Sequence, residues 1–396
     1  MSPNGRVPRV LLIVCDSWGV GDAPDAEDYG DVGANTLGNV AKAVGGIDAP
    51  ALEGAGLGHL TDIMGIEPRA EAGAAYGRAT ERSAGKDTTT GHWEMMGIRL
   101  GRPFPLYPKG FPDDIVEAFE AAIGRSILGN VPASGTEIIA ELGEEHMRTG
   151  SPIVYTSGDS VFQIACHEDV VPLPTLYEWC RVARRLLTGE HAVGRVIARP
   201  FVGEPGRFLR APARRDFSLP PPGPTVLDRL QDAGVPVYGV GKIRDIFCGQ
   251  GIGEARYSDS NDHGIDLTLD YLARPGPAFV FTNLVDFDSK YGHRNDVAGY
   301  AAAVEAFDRR VPELIGALDG GVFFLTGDHG CDPTTVSTDH TRERTPLLAM
   351  GLQDGPHEIG TREGFGDLGH TIAESLGVHV EGLVGASFAG RIGLGR

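Results

Sequence analysis

Four apolar runs, each stopping at a charged or ligating side chain, limit what this chain can fold into more than any other feature. Arg9–Cys15 stops at Asp16, 236–241 at Lys242, 278–285 at Asp286 and Asp288, and 321–326 at Asp328 and His329. A fifth run, Thr345–Met350, closely follows His340. Unbroken apolar runs of this length suit strands buried on both faces, as in a parallel sheet. Helical periodicity lies between them. Val297, Tyr300, Val304, Phe307, Val311, Leu314 and Leu318 share one helix face, with a kink expected at Pro312. Alternating strands and helices predict an α/β fold, a mostly parallel sheet flanked by helices. In such sheets ligands gather beyond the carboxyl ends of the strands, where the polar residues would stand.

At 396 residues the chain exceeds what one core usually supports, so two domains are expected. The middle reads differently from the rest. It holds helical patches at Asp113–Ile123 and 175–187, and short apolar runs at Ile153–Thr156 and 193–198. Pro103, Pro105 and Pro108 mark one flank, and Pro212, Pro220, Pro221, Pro222 and Pro224 the other. Proline clusters of this kind suit linkers. The expected organisation is a discontinuous core domain, 1–100 with 223–396, and an inserted smaller α/β domain, 101–222.

Charge and cysteine usage narrow the function classes. With 35 basic and 54 acidic side chains the net charge is −19, which repels a polyphosphate backbone, so no nucleic-acid partner is expected. The longest apolar runs are strand-sized, so no membrane span is expected. Residues 1–8 lack the apolar segment of a secretory leader. Five scattered cysteines without a C-x-x-C pair argue for a reducing compartment, so a cytoplasmic location is expected.

The densest chemical signal is Thr326-Gly-Asp-His-Gly330 followed by Thr338-Asp-His340. Adjacent Asp and His after a strand can face one cation, and a later His can fold back to a neighbouring one. Asp288-Ser-Lys-Tyr-Gly-His293 is a second such turn, and Asp16-Ser17 a third. Each alone also reads as an ordinary helix start with an Asp cap. Together they offer Asp16, Asp288, His293, Asp328, His329 and His340. Oxygen and imidazole donors without cysteine suit two ions such as Mn²⁺, Zn²⁺ or Mg²⁺. Paired ions suit in-line displacement at phosphorus. A nucleophile could come from Gly85-Lys-Asp-Thr-Thr-Thr-Gly-His-Trp-Glu94, where spacing does not choose among Thr88, Thr89 and Thr90. Gly239-Val-Gly-Lys242 is no phosphate-cradling loop, since Ile243 stands where Ser or Thr belongs.

These segments carry a resemblance. Gly85-Lys-Asp-Thr88, Thr90-Gly-His-Trp-Glu94, Tyr155-Thr-Ser157, Arg195-Val-Ile-Ala-Arg-Pro200, Phe281-Thr-Asn-Leu-Val-Asp-Phe-Asp288 and Asp339-His-Thr-Arg-Glu343 resemble the phosphopentomutase family of the alkaline phosphatase superfamily, over essentially the full length. The resemblance implies an alkaline-phosphatase-like core with the inserted segment as cap domain. It implies Thr88 as the residue carrying the phosphoryl group. Asp16, Thr88, Asp328 and His329 would hold one metal, and Asp288, His293 and His340 the other, with two Mn²⁺ as the usual ions and Mg²⁺ or Zn²⁺ as alternatives. Small phosphorylated pentoses are the implied substrates, a sugar bisphosphate such as glucose 1,6-bisphosphate the activator, and a monomer the expected state. Ser157 and Asp159 are candidates for sugar hydroxyls, and Arg195, Arg210 and Lys242 for a distal phosphate. Two departures from the family pattern are Thr89, where a bulkier apolar residue is expected, and Trp18 beside Asp16-Ser17. The enzymatic rivals are a metal-dependent phosphatase or a phosphoglycerate mutase of the same superfamily.

Overall fold

The structure, a computed structural model, describes residues 9–352 and 358–394. The leader-free reading of residues 1–8 lies outside them. The chain divides into two units, one running to Arg102 and resuming at Pro221, the other spanning Pro103–Pro220.

Strands are numbered along the chain. The first unit holds β1 (Arg9–Cys15) and β2 (Ala75–Ala79). The second holds β3 (Leu128–Pro132), β4 (Ile153–Thr156), β5 (Val161–His167), β6 (Arg195–Val202), β7 (Leu209–Arg210) and β8 (Arg215–Ser218). The first unit continues with β9 (Val237–Val240), β10 (Glu254–Arg256), β11 (Ala278–Leu284), β12 (Val322–Thr326), β13 (Thr345–Met350) and β14 (Glu358–Arg362).

Among the described residues the first unit's strands form one sheet in the order β10-β9-β11-β1-β12-β13-β2-β14. The run from β10 to β12 is parallel throughout. β1 lies inside it, and Val10–Cys15 are wholly buried because helices cover both faces. Leu11, Ile13 and Cys15 join Val280, Leu284, Phe323 and Leu325 in a core under helices Thr36–Val44, Asn261–Leu272 and Val297–Gly316. The alternate residues face helices Thr88–Met95, Val226–Asp232 and Gly366–Ser375. The helix expected around Val304 buries the predicted face in that core and runs through Pro312 to Gly316. Among the described residues no helix is long and apolar enough to cross a membrane.

The fifth apolar run forms β13, which runs antiparallel to both its neighbours, β12 and β2. The direction matters. An antiparallel strand starts where the parallel ones finish, so His340, just before β13, stands at the carboxyl edge of β1, β11 and β12.

In the second unit β3-β4-β5-β6-β7 form a mixed sheet, with β8 also on β6. Helices Asp113–Ile123 and Leu173–Leu186 bury one face around Phe162, Ile164 and Val196. Helix Gly135–Thr149 covers part of the other, through Ile138 and Ile139.

Candidate active site

The chain turns sharply where β1 ends. Asp16 is fully buried, its amide donates to Leu284 O (3.1 Å), and its Oδ2 accepts from Asn283 Nδ2 (3.1 Å) on β11. Ser17 follows at φ 77°, a left-handed conformation that L-residues adopt at a cost of about 1–2 kcal/mol. Its surroundings hold it there. Tyr300 Oη donates to Ser17 O (3.0 Å), which leaves the Ser17 hydroxyl to donate to Tyr300 Oη (3.1 Å). The Ser17 amide donates to Asp328 Oδ1 (3.1 Å), tying the end of β1 to the turn after β12. Trp18 fills the core behind this turn, edge-on to Phe287 and Phe307.

A π-turn, Phe287–Tyr291, follows β11 and buries Asp288, and a 3₁₀ turn, Gly292–Arg294, brings His293 back to it. Asp288 Oδ2 lies 3.3 Å from His293 Nε2, and Oδ1 lies 3.3 Å from His340 Nε2. His329 Nε2 lies 3.4 Å from Asp16 Oδ1 and 3.5 Å from Asp328 Oδ2. The His329 and His340 rings stack at 3.8 Å. His293 Nδ1 donates to Thr338 O (2.7 Å) and His329 Nδ1 to Gly330 O (2.9 Å). Those bonds assign the protons to Nδ1 and turn each Nε2 toward the carboxylates.

The three threonines of the 85–94 segment separate in space. Asp87 caps helix Thr88–Met95, accepting from the Thr90 amide (3.1 Å) and hydroxyl (2.5 Å). Thr90 is thus spent on the cap and buried. Thr88 Oγ1 instead lies 3.2 Å from His329 Nε2 and 3.5 Å from Asp16 Oδ1. Gly91 permits the approach. A Cβ there would overlap the backbone carbonyl of Asp328. Gly91→Ala is therefore expected to cost about 1–3 kcal/mol and to push Thr88 off the cluster; calorimetry and turnover should fall together.

The structure brings Asp16, Thr88, Asp288, His293, Asp328, His329 and His340 into one cluster. Asp16–Asp328–His329 and Asp288–His329–His340 form two groups of cation-ligating geometry sharing His329. Donors on one tetrahedral cation stand about 3.4 Å apart when each bond is about 2.1 Å, close to the spacings above. Asp288 Oδ1 and Asp328 Oδ2 are buried and make no hydrogen bond. Buried carboxylate oxygens without donors, facing imidazole nitrogens, fit a cation. The charges strain one another without it. Burial raises the Asp16 carboxyl, and Asp328 and Asp288 raise it further. Burial pushes Asp328 upward too, but His329 and His92 outweigh it and hold it at about 2. For His329, burial favours the neutral ring, yet Asp328 and Asp16 overcome it and keep the imidazole well above its usual range. Hydrogen bonding to Asp288 likewise raises His293.

Two neighbours escape a reading of the sequence by strand ends. His92 Nδ1 lies 2.8 Å from Thr88 O and 3.2 Å from Asp328 Oδ2, one helical turn after Thr88. Its i+4 spacing is the signal that could have flagged it. Cys331, two residues after His329, lies against Asp288 and His293 and completes a third such group with them.

Within the second unit the candidate substrate contacts stand at two places on the sheet. Ser157 Oγ accepts from the Asp159 amide (3.4 Å), and Arg195 Nη2 lies 3.5 Å from Asp159 Oδ2, so these three adjoin. Arg210 pairs with Phe201, six residues further along β6 than Arg195. That sets their backbones about 20 Å apart along the strand. Lys242 is exposed after β9 in the first unit.

The fold and this cluster define a metalloenzyme. The model of the metalloenzyme superfamily matches residues 8–380. Phosphopentomutase from Kosmotoga olearia is 56% identical, the match covering 93% of this chain and 96% of that protein. Phosphopentomutase from Acetivibrio thermocellus is 54% identical over 97% of this chain and 99% of its own. That from Caldanaerobacter subterraneus is 56% identical over 93% and 94%. The chain belongs to the phosphopentomutase family, enzymes of the isomerase class.

Proposed function

We propose that this enzyme interconverts ribose 1-phosphate and ribose 5-phosphate, and their 2-deoxyribose equivalents, through a phosphothreonine at Thr88. The observation that carries the reading is the Thr88 hydroxyl lodged 3.2 Å from His329 and 3.5 Å from Asp16, amid carboxylates with unpartnered oxygens. Asp16, Thr88, Asp328 and His329 would hold one divalent ion, and Asp288, His293 and His340 the other, with Mn²⁺ the expected metal. When bound, the ions supply positive charge against the transferring phosphoryl group and the threonine oxygen.

The chain's own residues supply the rest. Thr88 is the first residue of its helix, so first-turn amides and the helix dipole favour an anionic phosphoryl group on it. In the first half-reaction the Thr88 Oγ–P bond breaks as a new O–P bond forms to the C1 hydroxyl of ribose 5-phosphate. The hydroxyl proton passes to the threonine oxygen, leaving a ribose 1,5-bisphosphate. The C5 phosphoryl then returns to Thr88 and the proton to the sugar, so nothing is consumed overall. Priming would come from a sugar bisphosphate such as glucose 1,6-bisphosphate.

Isomerisation and release of inorganic phosphate, followed together, test this. Isomerisation should exceed phosphate release by about a hundredfold or more, a difference in barrier of about 2.7 kcal/mol. Equal rates would make the protein a metal-dependent hydrolase.

A further inference from the structure

Three consecutive residues ahead of the helix cap, Ala84, Gly85 and Lys86, are each held by a side chain from elsewhere in the same unit. Tyr29 Oη donates to Ala84 O (3.0 Å), Arg342 Nη1 to Gly85 O (2.6 Å), and Lys86 Nζ to Asp31 Oδ2 (3.0 Å). Arg342 is the centre of this arrangement. Its side chain is 2% exposed and its five N–H groups are all engaged. Nη1 also donates to Glu81 Oε2 (2.7 Å), Nη2 to Glu81 O (2.9 Å) and Asp25 Oδ2 (2.9 Å), and Nε to Asp25 Oδ1 (3.1 Å). The guanidinium stacks over the Tyr29 ring at 4.8 Å. The Arg342 amide donates to Asp31 Oδ2 (2.8 Å), the oxygen that binds Lys86.

Arg342 stands two residues after His340, so the segment that carries this imidazole also grips the turn that presents Thr88. A planar fork reaching four groups on three residues is a task for arginine, which a lysine ammonium cannot reproduce. Gly85 has no slack of its own, since a Cβ there would come within 2.6 Å of Thr90 Oγ1 and 2.9 Å of Asp87 Oδ2.

We propose that Arg342, braced by Tyr29, is a positioning residue that sets the placement of the Thr88 hydroxyl against His329 and Asp16. The inference rests on Thr88 being the phosphoryl carrier. Displacements near 1 Å in such sites cost about a hundredfold in rate.

The test uses the full-length, Mn²⁺-loaded enzyme as Tyr29→Phe and Arg342→Lys. Tyr29→Phe keeps the ring over the guanidinium and removes only the bond to Ala84 O, so it folds. Metal per chain, the unfolding temperature, kcat, KM, and the rate and site of phosphorylation by glucose 1,6-bisphosphate are measured. The expected result is wild-type metal content and KM within about twofold, with kcat down about fivefold in Tyr29→Phe and about a hundredfold in Arg342→Lys. Phosphorylation of Thr88 should slow in parallel. Should Arg342→Lys fail to fold, Tyr29→Phe decides alone. Wild-type kcat in folded, metal-loaded Tyr29→Phe would overturn the proposal, as would losses that vanish once rates are expressed per metal-loaded chain. Phosphate on a residue other than Thr88 in the unaltered enzyme would instead remove the underlying reading.

Discussion

Thr88→Val is expected to lower turnover by roughly four orders of magnitude or more, with the fold and at least one bound metal retained. Valine keeps the shape of threonine and removes only the oxygen that faces His329 and Asp16. The cap survives, because Asp87 spends its carboxylate on Thr90. Thr89 cannot substitute. Consecutive helical side chains point about 100° apart, so its hydroxyl leaves the cluster, and Thr89→Val should turn over at close to the normal rate. Circular dichroism, metal analysis and the isomerase assay on both variants check this. Normal turnover in Thr88→Val would remove Thr88 from the mechanism.

Stripping the metal is the second large effect. Asp16, Asp288 and Asp328 are at most 4% exposed, and without cations they depend on protons for neutralisation. Chelation should abolish turnover and lower the unfolding temperature, and Mn²⁺ should restore both. At a hundred times its dissociation constant a ligand stabilises by about 2.7 kcal/mol, or about 3 °C for a chain this long. The effect carries a pH signature. Burial opposes protonation of His329, but Asp328 and Asp16 raise its folded pKa above the unfolded value, and Asp288 raises that of His293. Stability from these pairs is full below about pH 6.5 and is lost as pH rises through the raised values. The metal competes with the same protons, so its affinity keeps rising with pH across that window. The gap in unfolding temperature between loaded and stripped protein should therefore widen as pH increases. A gap that narrows, or a chelator without effect, would contradict this account.

Much of the frame was legible because buried parallel strands write themselves as apolar runs. β1, β11 and β12 could be read that way, together with the acids and imidazoles that end them. Strands at or next to the sheet's edges could not. β2, β10 and β14 are short and carry Gly, Arg or Glu where a central strand carries Val or Ile. The direction of β13 was hidden as well, since strand polarity depends on the path of the connection. Helix Gly135–Thr149 was missed because Gly143 interrupts its apolar face, where Phe208 occupies the space of a side chain. Composition gave three equivalent hydroxyls at 88–90, and only the Asp87 cap tells Thr90 from Thr88.

The central claim is a phosphoryl group carried on one hydroxyl, and the direct measurement is peptide mapping by mass spectrometry after brief exposure to glucose 1,6-bisphosphate. A single added phosphate on Thr88 is expected, lost again when ribose 5-phosphate is supplied. Phosphate on Thr89, on Thr90 or elsewhere, or a chain that gains none while still isomerising its substrate, would contradict it.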